Sequence, residues 1–231
     1  MSSENNLKKT RHKDRIFYNF WYDFVKVTGA LPALIWMRPK VHRPFGKPDT
    51  RGGLMISSNH PTFLDPIIAL LAFPERRLHC LATKDLFRKE RNAFFFKKVH
   101  CIIIDKENFN MSSFHEVVER LKEDKAVLIF PEGQVNRDAE SKPLLAFKSG
   151  MVLMAHRANV PILPMYIVKK KKWYQRQHIV LGQPVNIAEI LGKMPTMDSL
   201  TQVSDLLRDK ENELREYFES LPIYEKGWKN K

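Results

Sequence analysis

The sequence predicts an α/β fold in which a mostly parallel or mixed sheet is flanked by helices, with an amphipathic helical segment at the N-terminus. Short apolar runs typical of strands alternate with helical patterns, and such alternation indicates parallel strands joined by helices. The run Val127–Phe130 is apolar throughout, as expected of a strand covered on both faces. The 231 residues suffice for one domain with a sizeable core.

The boundaries of the predicted elements follow from the same patterns. Apolar runs predict six strands, at Leu54–Ser58, Leu78–Ala82, Cys101–Asp105, Ala126–Phe130, Ile162–Val168 and Ile179–Leu181. Helical patterns predict helices at Pro66–Phe73, Asp85–Val99, Phe109–Glu123, Ala146–Ala158 and Asp198–Phe218. The proline-containing stretch Arg38–Arg51 is predicted to be a linker. Residues 1–51 then comprise a basic tail, the helical segment and the linker, and residues 52–231 form the main domain.

The segment Ile16–Met37 is the most apolar part of the chain, although Asp23 and Lys26 interrupt it. Its uncharged part, Val27–Met37, is shorter than the roughly 20 residues that a membrane-spanning helix needs. Its many aromatic residues and basic flanks are typical of a helix lying at a membrane–water interface. The alternative is a helix packed on the core of the protein itself. Because the first fifteen residues are polar and charged, no signal peptide is predicted.

The net charge of +13 at pH 7 is the main compositional signal. It favours an anionic partner, either nucleic acid or a phospholipid surface, although a basic surface also serves simply to keep a protein soluble. The basic residues are scattered and accompany no recognised nucleic-acid motif, so we expect no nucleic-acid partner. Cys80 and Cys101 fall in predicted strands without a paired framework or metal-ligand spacing, which indicates buried thiols in a reducing compartment.

Two histidines are followed five residues later by an acid: His60 by Asp65, and His100 by Asp105. The second pair brackets a predicted strand, where residues an odd number apart point to opposite faces, so these two side chains are not expected to meet. His60 instead follows the first predicted strand in a short loop, and Pro66 favours the start of a helix directly after Asp65. Ligands of open α/β sheets bind beyond the carboxyl ends of strands. The first pair is therefore the candidate catalytic pair.

A histidine beside a carboxylate suits the activation of a hydroxyl nucleophile. Neutral imidazole removes the hydroxyl proton, and a carboxylate on its other nitrogen fixes the tautomer and stabilises the imidazolium. Two simpler interpretations stay open from the residues alone. Asp65 could cap the helix that follows it, and His60 could be a loop histidine bonded to the backbone.

Four blocks in order carry a family resemblance. NHPTFLD occupies residues 59–65, CIIIDK residues 101–106, FPEGQVNR residues 130–137 and VPILP residues 160–164. In order and spacing these blocks resemble the glycerolipid acyltransferases typified by 1-acylglycerol-3-phosphate acyltransferase. The resemblance covers roughly Leu54 to Val168, and the first and third blocks are its specific part.

The resemblance implies a glycerol-3-phosphate acyltransferase-like sandwich, with residues 52–231 as the acyltransferase domain. It implies transfer of a fatty acyl chain from acyl-CoA or acyl-carrier protein to the free hydroxyl of a lysophospholipid, above all 1-acylglycerol-3-phosphate, giving phosphatidic acid. His60 would be the general base and Asp65 its orienting partner, with no cofactor and no metal. The enzyme would be peripheral or monotopic on the cytoplasmic face of an anionic membrane. The expected acceptor-binding residues are Lys106, Glu132, Gly133, Asn136, Arg137 and Lys148.

The chain departs from the family pattern at positions that bear on the acceptor. The second block usually opens with Gly and closes with Arg, where this chain has His100 and Lys106; lysine keeps the charge but cannot bind phosphate in a bidentate manner. An Arg of the third block is replaced by Val135, for which Arg137 and Lys148 could compensate. The Val-Asn pair also resembles the tafazzin family of phospholipid transacylases. An acyltransferase or transacylase acting on another lysophospholipid is therefore the alternative.

Two other classes of protein fit the sequence less well. A serine hydrolase built on Ser57 or Ser58 with His60 lacks the G-x-S-x-G elbow, and neighbours on one strand cannot form a triad unaided. A non-enzymatic binder of nucleic acid or anionic membranes is compatible with the charge but leaves the ordered blocks unexplained.

Overall fold

A computed structural model describes residues 2–83, 99–104 and 111–227 of the protein. In chain order its helices are α1 (Ser2–Met37), α2 (Asp65–Ala72), α3 (Met111–Lys122), α4 (Gly150–Ala158), α5 (Ile187–Leu191), α6 (Met197–Glu219) and α7 (Pro222–Gly227). Its strands are β1 (Lys40–His42), β2 (Leu54–Ser58), β3 (Leu78–Thr83), β4 (Ile102–Ile104), β5 (Ala126–Ile129), β6 (Ile162–Ile167) and β7 (His178–Leu181).

The seven described strands form one sheet in the order β1-β7-β6-β2-β5-β3-β4. Strand β2 is central and pairs in parallel with both β5 and β6, while β7 pairs antiparallel with β6. The predicted α/β class with a mixed sheet is therefore confirmed. The carboxyl ends of β2, β5 and β6 meet at one edge of the sheet, where ligands of such folds bind.

Each face of the sheet carries its own apolar core. On one face α1 and α2 pack against the sheet through Met37, Ile68 and Phe73. On the other face α3, α4, α5 and α6 bury a second set of apolar side chains, among them Leu121 and Leu207. Because side chains alternate along a strand, successive residues of β2 contribute to opposite cores. Two-sided cover explains why the central strands are apolar at nearly every position.

The structure differs from the sequence-based prediction in several places. Within the predicted linker Arg38–Arg51, residues Lys40–His42 instead form the edge strand β1, which pairs in parallel with β7. Helix α4 begins at Gly150 rather than at Ala146, and α5 and α7 were not predicted. The predicted helix over 85–99 lies almost wholly outside the described residues. His100 occupies a left-handed turn before β4 rather than a strand, whereas Asp105 is not described.

The middle of α1 is fastened to the body of the protein by polar side chains. Lys26 donates hydrogen bonds to the carbonyl oxygens of Pro74 and Arg76. Asp23 accepts two hydrogen bonds from Arg77, at 2.9 and 2.7 Å. Asp23 and Lys26, the charged residues that interrupt the apolar pattern of α1, therefore bind the segment between α2 and β3. Within the described chain, no helix combines the length and apolarity needed to cross a membrane.

Candidate active site

The loop that carries His60 is anchored at the end of β2. The side-chain amide of Asn59 donates to the carbonyl oxygen of Ile167 at 3.0 Å and accepts from the N–H of the same residue at 2.7 Å. This paired contact joins the loop after β2 to the end of β6. The ends of these two strands lie side by side in the sheet. The loop therefore leaves the sheet from a point fixed by two neighbouring strands.

His60 and Asp65 are in direct contact. Nδ1 of His60 lies 2.7 Å from Oδ2 of Asp65. Asp65 is fully buried, whereas the His60 side chain keeps 15% of its surface exposed. Among the described residues Nε2 of His60 has no hydrogen-bond partner. The pair thus has the arrangement of a general base, with one ring nitrogen held and the other available.

The simpler interpretation of Asp65 as a helix cap is not supported. Asp65 is itself the first residue of α2, and the helix has no side-chain cap. Its carboxylate instead accepts from the N–H and the hydroxyl of Thr62, at 2.8 and 2.6 Å, in addition to its contact with His60. The loop 59–65 folds back on itself around this one buried carboxylate.

The third block lies directly against the loop 59–65, which we call the catalytic loop because it carries the candidate catalytic pair. The ring of Phe130 stacks on the imidazole of His60, with the ring centroids 4.0 Å apart. The N–H of Asn136 donates to the carbonyl oxygen of His60 at 2.7 Å. The buried side chain of Asn136 donates to the carbonyl oxygen of Lys142. In this structure Asn136 therefore joins the two blocks, and its predicted contact with the acceptor stays a prediction.

Glu132 is a buried acid beside the pair. Burial raises the pKa of its carboxyl group to about 7, and the charge of Asp65 acts in the same direction. The backbone N–H groups of Leu145 and His60 face the carboxyl group and partly offset this shift. Neither oxygen, however, completes a hydrogen bond with a group in the described ranges. A buried carboxyl group without a partner at the edge of a site is available to bind a polar substrate group.

Lys148 and Gly133 lie together. Gly133 has a positive φ of 69°, and a Cβ atom there would lie 2.9 Å from Nζ of Lys148. The side chain of Lys148 therefore packs over Gly133, the residue that follows Glu132 in the chain. One predicted acceptor-binding residue is not brought into this group: Arg137 is exposed, and its carbonyl oxygen accepts a hydrogen bond from Lys169. Lys106 lies outside the described residues.

A cavity opens next to the catalytic loop on the side of Asp65. Its wall combines apolar side chains of α1 and α2 with the stretch 168–177 that joins β6 to β7, which we call the basic loop. Among the residues that line it are Trp36, Leu64, Ile68, Lys170, Lys171, Lys172 and Trp173.

Sequence reasoning missed several residues that hold the pair in place. Thr62 and Phe130 stand inside the recognised blocks, but no sequence signal distinguishes them from spacers. The buried acid Glu211 of α6, whose carboxyl group accepts a hydrogen bond from Ser57, lies outside every block. As for a metal, no set of three or more His, Cys, Asp or Glu side chains in the described segments is grouped to hold one.

Comparisons with known proteins agree with this geometry. The sequence matches the Acyltransferase family over residues 38–168, which is more than half of the chain. It is 28% identical over 213 residues to a 1-acyl-sn-glycerol-3-phosphate acyltransferase of Bacillus subtilis (strain 168), covering 88% of this chain and 100% of that protein. It is 24% identical to the Streptococcus pneumoniae protein of the same name, covering 98% of this chain and 81% of the relative.

A solved structure shares the fold. The 1-acyl-sn-glycerophosphate (LPA) acyltransferase PlsC of Thermotoga maritima superposes with a TM-score of 0.58 at 20% identity. The match covers 89% of this chain and 83% of that one. The resemblance carried by the four blocks is confirmed, and the chain belongs to the Acyltransferase family.

Proposed function

We propose that this acyltransferase moves a fatty acyl chain from a thioester donor, acyl-CoA or acyl-carrier protein, to the free hydroxyl of 1-acylglycerol-3-phosphate, giving phosphatidic acid. The observation that carries the proposal is the contact between Nδ1 of His60 and the buried Asp65, which leaves Nε2 for the substrate. The names of the relatives from Bacillus subtilis and Streptococcus pneumoniae supply the proposed acceptor.

In the proposed reaction His60 acts as the general base. Its Nε2 takes the proton of the acceptor hydroxyl while the hydroxyl oxygen forms a bond to the thioester carbonyl carbon. The carbon–sulfur bond breaks as the carbonyl re-forms, and the thiolate leaves and is protonated. Asp65 holds the tautomer with Nδ1 protonated and stabilises the imidazolium formed in between. The stacked ring of Phe130 keeps the imidazole in one orientation.

Groups near the third block support an acceptor with an anionic head. The ammonium group of Lys148 lies over Gly133, where its positive charge suits such a head, and the buried carboxyl group of Glu132, without a partner in the described part of the chain, is suited to a hydroxyl group of the acceptor. The replacement of an arginine by Val135 favours the second candidate, an acyltransferase or transacylase for another lysophospholipid. That candidate keeps the base and changes only the acceptor or the donor.

An acceptor panel tests the substrate. Purified protein is incubated with acyl-CoA or acyl-carrier protein and with lysolipids that differ in headgroup, and thiol release and the lipid product are measured. We expect the highest kcat/KM with 1-acylglycerol-3-phosphate. Equal or higher turnover of another lysolipid would overturn the proposed acceptor, and transfer from a diacyl phospholipid without any thioester would establish the transacylase.

The variant His60→Ala tests the base. We expect acyl transfer to fall by roughly 10²–10⁴-fold, which is the usual effect of losing a general base. Because His60 is not part of either apolar core, the thermal midpoint and the circular dichroism spectrum should stay near those of the wild type. Transfer at the wild-type rate in this variant would rule out the proposed role.

We further propose that the enzyme binds peripherally to an anionic membrane on its cytoplasmic face. Two aromatic residues that line the cavity are exposed, Trp173 at 73% and Trp36 at 45%, and Phe63, between the lining residues Thr62 and Leu64, is 75% exposed. The basic loop places Lys170 over the ring of Trp36 at 5.0 Å. Aromatic rings and lysines at one mouth suit the headgroup layer of an anionic bilayer.

Vesicle binding tests this surface. We expect strong binding to phosphatidylglycerol vesicles, weak binding to phosphatidylcholine vesicles, and loss of binding when Trp173 is changed to Ala together with Lys170, Lys171 and Lys172 to Gln. Met194→Ala is the control, because Met194 is 92% exposed and lies between α5 and α6, helices that pack on the opposite face of the sheet from α1 and α2. Equal binding by the loop variant and the control would contradict the proposed surface.

A further inference from the structure

Glu211 is a fully buried acid that the proposed mechanism does not use. It lies on α6, beyond the residues that match the family, and none of its side chain reaches solvent. Its neighbours along the inner face of α6, Leu207 and Leu214, are apolar and pack into the cores. A carboxyl group at such a position costs more free energy to bury than a leucine of similar size. Its presence therefore calls for a role other than packing.

The contacts of Glu211 all lead to the catalytic loop. Its Oε1 accepts a hydrogen bond from the hydroxyl of Ser57 on β2, at 2.5 Å. The backbone N–H of Asn59 faces the same carboxyl group. Ser57 precedes His60 by three residues and Asn59 precedes it by one. Glu211 therefore contacts the chain at the point where β2 ends and the catalytic loop begins.

Glu132 completes the arrangement from the third block. The N–H of Asn59 faces Glu211, and the N–H of the next residue, His60, faces Glu132. Two buried acids from distant parts of the chain thus face two consecutive peptide groups of the catalytic loop, although neither oxygen of Glu132 nor Oε2 of Glu211 completes a hydrogen bond within the described residues. The two carboxyl groups also lie close enough that their charges repel each other.

We propose that Glu211 is a positioning residue: its buried carboxyl group, facing the Asn59 backbone, fixes the end of β2 through its hydrogen bond with the Ser57 hydroxyl, and thereby holds His60 in place for reaction. The role of Glu211 in transfer rests on the proposed function of His60, whereas its effect on the imidazole does not.

The raised pKa of Glu211 favours its neutral form, and that form is suited to this task. Burial raises the pKa of its carboxyl group well above the ordinary value, and the charge of Glu132 adds to the shift. A neutral carboxyl group still offers its carbonyl oxygen to Ser57 and Asn59, and it avoids a second charge beside Glu132. Glutamine presents the same oxygen at the same distance, whereas leucine fills the space without an acceptor.

The test compares Glu211→Gln, Glu211→Leu and the control Ser204→Ala, a buried hydroxyl on the same helix that bonds only within α6. We expect Glu211→Gln and Ser204→Ala to keep a kcat close to that of the wild type. Glu211→Leu should lower kcat by about 10–100-fold through misplacement of His60, with little change in KM. Its thermal midpoint should be unchanged or higher, because an apolar residue replaces a buried acid.

A second measurement is independent of the substrate. The Nδ1–H proton of His60 should give a low-field NMR resonance, identified by its loss in His60→Ala. We expect this resonance to move or broaden in Glu211→Leu and to keep its position in Glu211→Gln. An unchanged resonance and an unchanged kcat in Glu211→Leu would overturn the proposal, and so would equal losses in the Gln and Leu variants. If the wild type showed no acyl transfer but the resonance responded as expected, only the proposed function would fail.

Discussion

At the scale of single residues, the site is organised around the carboxylate of Asp65. It accepts hydrogen bonds from the N–H and hydroxyl of Thr62 and contacts His60, all within six positions of the chain. The hydroxyl contact matters because it fixes the oxygen that His60 does not use. A carboxylate held at both oxygens cannot rotate away from the imidazole, so the ring keeps its tautomer and its direction.

Thr62→Val removes this hydroxyl contact while keeping the shape of the side chain. Hydrogen bonds to charged groups are worth about 1.5–3 kcal/mol. If even part of this free energy stabilises the transition state, its loss should lower kcat by roughly tenfold or more. Steady-state kinetics with the best acceptor of the panel measures the effect. The control is Thr62→Ser, which keeps the hydroxyl and should keep most of the activity. A wild-type rate in Thr62→Val would show that the contact does not matter for catalysis.

At the scale of elements, the close packing of α3 against the start of β2 depends on one glycine. A Cβ atom on Gly53 would lie 2.1 Å from the carbonyl oxygen of Leu121 and 2.8 Å from a methyl group of Val160. Gly53 directly precedes β2, the strand that ends at the catalytic loop. The absence of a side chain here therefore allows the helix to lie over the central strand.

Gly53→Ala should be strongly destabilising, because the obstructing atom belongs to the backbone and cannot rotate away. Overpacking of a core usually costs about 1–3 kcal/mol, and we expect the upper end of this range or more. Urea unfolding of the variant measures the change. The control is Gly29→Ala on α1, where nothing lies within 4 Å of the new Cβ atom. Equal stability of the two variants would contradict this explanation.

At the scale of the whole molecule, buried histidines join elements that are distant in sequence. The ring of His100 stacks between Tyr22 of α1 and His79 of β3. A second pair connects β1 to β7, with Nε2 of His42 2.8 Å from Nδ1 of His178. Burial lowers the pKa of His79 to about 4, of His100 to about 3 and of His178 to about 4.

These shifts make the fold sensitive to acid. Below the ordinary histidine pKa of about 6.5 the unfolded chain binds protons that the folded protein does not, so the free energy of unfolding falls by about 1.4 kcal/mol per pH unit for each such histidine. For His79 this loss continues from about pH 6.5 down to about pH 4. The raised pKa of Glu132 acts in the opposite direction over its own range.

His79→Phe isolates one of these contributions and keeps a stacked ring. We expect the loss of stability between pH 7 and pH 5 to be about 2 kcal/mol smaller in this variant than in the wild type. Urea unfolding at the two pH values measures this difference in the free energy of unfolding. The contribution of Glu132 is the same in both proteins and therefore cancels. The exposed His115→Gln is the control. A wild-type pH dependence in His79→Phe would refute the assignment.

The α/β class and the candidate pair could be predicted because both depend on residues near one another in the chain. Apolar runs and helical patterns are local, and His60 and Asp65 are five positions apart in a loop that Pro66 ends. The edge strand β1 could not be predicted in the same way. Its three residues have no apolar run of their own, and they form a strand because β7 offers them an unpaired edge.

The surroundings of the pair were decided by the tertiary structure alone. Phe130 and Glu211 reach the catalytic loop from β5 and from α6, and the Ser57–Glu211 contact joins residues 154 positions apart. Periodicity and motif spacing carry no information on such contacts, because they arise only when the sheet and its two helical layers close. The sequence by itself determined the candidate pair, His60 and Asp65. The packing of distant elements decided what surrounds that pair, since only a folded core can bury an acid of α6 against the end of a strand.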